Sequence, residues 1–95
     1  MLRQRSMRVA KGPFVALALA NTFGAARLGM IIGKRHLSRA VDRNRVKRAI
    51  RESFRRHHAR LPSLDIVIQL ARETLADDAR LALDGIWQRL SEVRQ

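Results

Sequence analysis

Between Leu37 and His58 the apolar or small residues are Leu37, Ala40, Val41, Val46, Ala49, Ile50, Ser53 and Phe54. The later ones step by three and four, the spacing that brings side chains onto one face of a helix. Eight of the other positions in this segment are arginine or lysine, against two carboxylates, Asp42 and Glu52. Such a segment cannot be buried all round. It is expected to dock on the sheet of the flanking strands by a narrow apolar stripe, Val46, Ala49, Ile50 and Phe54, and to leave its cationic side outside. Ser38 is expected to cap its start, and Pro62 requires it to end before that residue.

Short apolar runs flank this helix. Ser6 to Ala10 suits a short edge strand, and Gly12-Pro13 punctuates. Phe14–Ala20 is apolar on both faces and reads as a buried strand. Leu28–Gly33 is a further strand, with two glycines suited to a close approach by another group. Ile66–Leu70 is short and β-branched, again a strand. Ala79, Leu83, Ile86, Trp87, Leu90 and Val93 return to helical spacing, with Asp77 or Asp78 as the cap. Three strands, a helix, a strand and a helix predict an α+β fold, a two-layer α/β sandwich. With 95 residues, the chain (1–95) is expected to be one domain.

Composition narrows the chemistry. The absence of cysteine excludes disulfides, thiolate metal sites and a cysteine nucleophile. No apolar run reaches the roughly 18 residues of a membrane helix, and no signal peptide is evident, so a cytoplasmic location is expected. The net charge is +12, and it is concentrated: residues 34–60 carry +9, whereas residues 61–95 carry −2. A directed cationic surface of this kind fits a polyanion, nucleic acid first.

Steps of four place Arg43, Lys47, Arg51 and Arg55 in one row, with Arg48 beside it. Like charges so spaced repel by a few tenths of a kcal/mol per pair, and bound phosphates would relieve that. Asn44 is the uncharged polar residue of the cluster. Its amide suits a base edge or a 2′-hydroxyl, the alternative being a hydrogen bond to a neighbouring loop. Of the aromatic residues Phe14, Phe23, Phe54 and Trp87, the last two lie on apolar helix stripes and are expected in the core. His57 and His58 are adjacent, so they point about 100° apart on a helix and cannot share one metal. No paired carboxylates, nucleophile-base spacing or phosphate loop is present; no catalytic residue and no metal site are assigned.

The run Arg43-Asn-Arg-Val-Lys-Arg48, with Arg27-Leu-Gly-Met-Ile-Ile-Gly-Lys-Arg35 before it and Glu52-Ser-Phe-Arg55 after it, resembles the bacterial ribonuclease P protein subunit. Leu61-Pro-Ser-Leu-Asp-Ile-Val-Ile68 and Ile86-Trp-Gln-Arg89 fit the same family. The resemblance implies a subunit that binds a catalytic RNA and helps it remove the 5′ leader from precursor tRNA. Magnesium would be held mainly by the RNA, with no cofactor bound by the protein alone. It implies a ribosomal-protein-like mixed sheet with a left-handed β-α-β crossover, where the general rule favours a right-handed one. It assigns RNA contact to Lys34, Arg35, Arg43, Asn44, Arg45, Lys47, Arg48, Arg51 and Arg55, and places Val15 and Leu17 on one wall of a leader cleft. The other wall in that family is an aromatic N-terminal helix. About a dozen residues precede Phe14 here, too few for that helix, so residues 1–12 are expected to be a truncated or flexible segment. The uncovered sheet is then expected to favour self-association. The competing readings are a general RNA- or DNA-binding module of ribosomal type and, last, a membrane-surface helix.

Overall fold

The computed structural model describes residues 6–92. Its elements are β1 (Ser6–Lys11), β2 (Phe14–Ala20), β3 (Arg27–Ile31), α1 (Ala40–His57), a short 3-10 turn (His58–Arg60), β4 (Leu64–Leu70) and α2 (Ala76–Ser91). The strands form one sheet in the order β1-β2-β4-β3. β1 with β2 and β2 with β4 are antiparallel, whereas β3 runs parallel to β4. The sheet is therefore mixed, and α1 is the crossover between its two parallel strands. The segment expected to be truncated or flexible (1–12) contributes an edge strand from Ser6 onward; residues 1–5 lie outside the described residues.

The β1–β2 turn depends on Gly12. Its φ is +53°, and a Cβ there would stand 3.0 Å from the Cβ of Ala82 in α2. Backbone conformation and helix packing thus both require glycine. The close approach expected at the other glycines is not found. A Cβ on Gly29 would meet Val67 at an ordinary 3.7 Å, and one on Gly33 would meet only a backbone nitrogen at 3.9 Å.

Alternation along the strands puts Phe14, Ala16 and Ala18 of β2 and Leu64, Ile66, Ile68 and Leu70 of β4 on one face. α2 covers that face with Ala79, Leu83, Ile86, Trp87 and Leu90, all buried as their spacing predicts; Val93 lies outside the described residues. The opposite face carries Val15, Leu17 and Leu19, and Leu17 is 40% exposed. β2 is therefore buried on one face, not on two. Both helices sit on the same side of the sheet, which leaves the other side open among the described residues.

α1 buries Val46, Ile50 and Ser53, with Ala49 and Phe54 half-buried beside them. Its stripe rests chiefly on α2 and only lightly on β3, so the expected docking onto the sheet is mostly docking onto its neighbouring helix. At the seam the Trp87 indole N–H donates to Ser53 Oγ over 2.7 Å. Phe54 meets Trp87 edge-on, with ring centroids 5.6 Å apart.

Neither expected cap forms. Arg39 is the N-cap of α1 and makes no side-chain capping bond; Ser38 falls one residue too early. Leu75 holds the corresponding position in α2, which puts Asp77 and Asp78 inside the first turn. A carboxylate at Asp78 still complements the positive helix end there.

Ser53 is the one buried polar side chain among the described residues, and its hydroxyl satisfies a buried indole. Ser53→Ala leaves that donor unpaired and is expected to destabilise the fold by about 1–3 kcal/mol. Urea unfolding followed by Trp87 fluorescence measures this; a loss well under ~0.5 kcal/mol would show the bond to be dispensable.

Candidate nucleic-acid interface

The buried edge of α1 is narrow, so most of its circumference faces outward. Arg51 and Arg55 are exposed, and Arg43 and Lys47 are half-buried at one end of their row. Arg43 is turned inward by its own chain. Its Nη1 donates to the carbonyl oxygens of Leu37 and Ser38, both at 2.9 Å. It thereby braces the β3–α1 connection, in which Lys34 and Arg35 are exposed. Asn44 is exposed, and its side chain makes no hydrogen bond among the described residues, so the loop-bonding alternative is not realised.

Carboxylates do little to neutralise this surface. Arg39 lies 3.8 Å from Asp42 and Arg48 lies 3.9 Å from Glu52, both long, exposed pairs. Such pairs are worth ~0–1 kcal/mol. No ion pair involves Lys34, Arg35, Arg45, Lys47, Arg51, Arg55 or Arg56 among the described residues.

A second cationic flank lies on the α2 side. Arg45, Arg48 and Arg56 of α1 and Arg80 of α2 line a groove of about 500 Å³, with Glu52 as its carboxylate. Arg56 and Arg80 were not singled out from the sequence. Arg56 falls outside the row set by steps of four. Arg80 belongs to a segment of negative net charge and enters the cationic surface only because α2 packs beside α1. Its position next to the buried Ala79, at the start of the second helical stripe, was the available signal.

Val15 and Leu17 are not part of this surface. They lie on the open side of the sheet, away from α1, with Val67 opposite Leu17 on β4 and Arg8 opposite it on β1. The predicted residues therefore fall into two surfaces, a cationic one built on α1 and an apolar strip on the sheet. Phe14 and Trp87 are fully in the core and Phe54 is half-buried, leaving Phe23 as the exposed aromatic side chain. His57 and His58 diverge: His57 Nδ1 lies 2.9 Å from the Ser53 carbonyl oxygen and His58 Nε2 lies 3.1 Å from that of Ala26. No cluster of three or more His, Asp or Glu side chains suited to a metal ion occurs among the described residues.

One ion pair is well made. Arg27 donates through Nε and Nη2 to the two carboxylate oxygens of Asp65, at 2.8 and 2.9 Å, across the β3–β4 pair. Asn21 Nδ2 adds a bond to Asp65 at 3.0 Å. The hydrogen bonds from Arg27 and then Asn21 hold the Asp65 carboxyl below the usual carboxylate range. A depressed folded-state pKa gives stability that is present above the unfolded value of about 4 and lost as pH falls through the folded one. Asp65→Asn is expected to flatten the acid limb of unfolding midpoint against pH below about pH 4. Parallel limbs for the two proteins would show that the pair contributes nothing.

The comparisons with known proteins agree with this geometry. The family described as Ribonuclease P matches residues 1–92. The ribonuclease P protein component of Chromohalobacter salexigens is 42% identical over 90 residues, covering 92% of this chain and 70% of the relative. The RNase P protein of Staphylococcus aureus superposes with a TM-score of 0.77 at 28% identity, over 95% of this chain and 84% of that one. That of Thermotoga maritima gives 0.70 at 26% identity, over 95% and 86%.

Proposed function

The chain belongs to the ribonuclease P protein family, the protein component of an endoribonuclease that matures the 5′ end of tRNA, and from that premise we propose how its surfaces divide the work. The exposed flanks of α1 grip the phosphate backbone of the catalytic RNA subunit. Lys34 and Arg35 extend the grip from the connection that Arg43 braces. Arg45, Lys47, Arg48, Arg51 and Arg55 supply guanidinium forks and an ammonium on a rigid platform, which suits phosphate oxygens. Asn44, free to donate and accept, reads a base edge or a 2′-hydroxyl. Val15 and Leu17 offer an apolar floor to the leader of precursor tRNA.

The observation that carries this reading is the under-neutralised α1: a helix dense in arginine, anchored by one edge, whose own two carboxylates, Asp42 and Glu52, make only long, exposed pairs. The protein then contributes positive charge, and the cleavage chemistry with its magnesium ions stays mainly with the RNA. Cationic side chains among crowded phosphates reduce their repulsion, which otherwise has to be screened by more dissolved magnesium. The reading also places the chain in the cytoplasm with its RNA; no helix of the described residues is long and apolar enough to cross a membrane.

Adding the chain to the catalytic RNA and precursor tRNA at low magnesium is expected to rescue 5′ cleavage. RNA binding without rescue would instead favour a general binding module. Arg48→Ala and Arg51→Ala are each expected to weaken binding to the RNA subunit and to flatten its log-log salt dependence, by roughly 0.7–0.9 for each phosphate left without its cation. Unchanged slopes in both would remove α1 from the interface. Asn44→Ala is expected to cost about 1 kcal/mol or more of binding, read from the same titrations.

A further inference from the structure

Phe23 is 64% exposed at the tip of the loop between β2 and β3, yet this loop is firmly built. The Phe23 N–H donates to Asn21 Oδ1 at 3.0 Å, and Asn21 Nδ2 donates to the Ala25 carbonyl oxygen at 3.1 Å as well as to Asp65. The Asn21 N–H donates to the Ser63 carbonyl oxygen at 3.0 Å, tying the loop to the start of β4. Arg27 lies over one face of the ring, its Cζ 3.7 Å from the ring centroid. Arg27 is itself held by the paired bonds to Asp65, which occupy its Nε and Nη2. Its Nη1 makes no hydrogen bond among the described residues, and its side chain is 53% exposed.

The result is an aromatic ring with a fixed cation on one face and open space beside the other. Ordering such a ring usually costs part of what a ligand gains by stacking on it; here the hydrogen-bonded loop has already ordered it. A flat π-face meets the ring, and an anion beside it meets Arg27 Nη1. One ligand class offers both, a nucleotide whose base is not already stacked in a duplex. The register sets the position: Arg27 is opposite Asp65, and Asp65 is opposite Leu19, so the cluster stands at one end of the open sheet face.

We propose that Phe23, backed by Arg27, is a stacking site for a single unpaired nucleotide of RNA. The proposal rests on the functional reading above for the identity of the polymer. It adds a base-binding point that neither the α1 cations nor the apolar strip of Val15 and Leu17 provides. The nucleotide has two candidate sources with the same chemistry, the leader of precursor tRNA and an unpaired position of the RNA subunit.

The test compares short single-stranded RNA with a strand of equal length in which the bases are replaced by abasic sugars. The intact chain is expected to prefer the base-bearing strand, and Phe23→Leu to lower that preference by roughly fivefold or more. Phe23→Tyr is expected to retain it. All three proteins should melt alike, because the ring is outside the core. An equal preference in the intact chain and in Phe23→Leu, or no preference in the intact chain, overturns the site while leaving phosphate binding intact. Failure of the intact chain to bind either strand or the RNA subunit overturns the functional reading, and this site with it. If Phe23→Leu weakens binding of the RNA subunit, the base comes from that subunit. If it weakens only precursor tRNA that carries a leader, the base comes from the leader.

Discussion

Seven arginine and lysine side chains share the 18 residues of α1, and the helix tolerates them because one edge is anchored. Val46 and Ile50 are buried against α2, and Ser53 closes the seam by accepting the Trp87 indole N–H. That seam sets the rotation of α1 about its axis. With these side chains inside, Arg48, Arg51 and Arg55 are forced outward, and Arg45 and Arg56 are forced to the rim of the α2 groove. The few tenths of a kcal/mol that each like-charged pair costs are small against burial of Val46 and Ile50, at ~1.5–3 kcal/mol each. The core therefore holds a helix that would otherwise fray through its own repulsion, and the outer charge is available to a partner.

The ends of α1 assist. Asp42 lies in its first turn and Arg55 and Arg56 in its last, each matched to the helix dipole. Arg43 is the exception among the cations. It turns back to two carbonyl oxygens before the helix and trades solvent exposure for order in the connection from β3. A residue can thus belong to the cationic motif and still act through the backbone that presents Lys34 and Arg35.

Much of this was legible in the chain. Two helical periods, three short apolar runs and one polar edge segment predicted the four strands and two α-helices in order, and the α2 stripe from Ala79 to Leu90 lies in the observed core. The caps were not legible, since Ser38 and Asp78 have suitable chemistry one residue before and three residues after the N-cap positions that form. Nor was the partner of the α1 stripe, because an apolar stripe does not say whether a sheet or a helix will cover it. Arg80 joined the cationic surface through packing of α2 on α1, and Arg27, Asp65 and Phe23 met through strand register. Those pairings link residues far apart in sequence, and local spacing carries no record of them.

Two faces, on opposite sides of one sheet, follow from the same alternation in β2 and β4. One supports the helices and their charge; the other is open, apolar in the middle and bordered by Arg8 and Arg27. The most direct test of the account asks which face of the helical layer touches RNA. A photo-crosslinking side chain can be placed singly at Asn44, Arg48, Arg51 and Arg55, and at the exposed Leu81 and Gln88 of α2, in the complex with the RNA subunit. Crosslinks from the four α1 positions and none from Leu81 or Gln88 are the predicted result. Crosslinks from Leu81 and Gln88, with α1 silent, would contradict it.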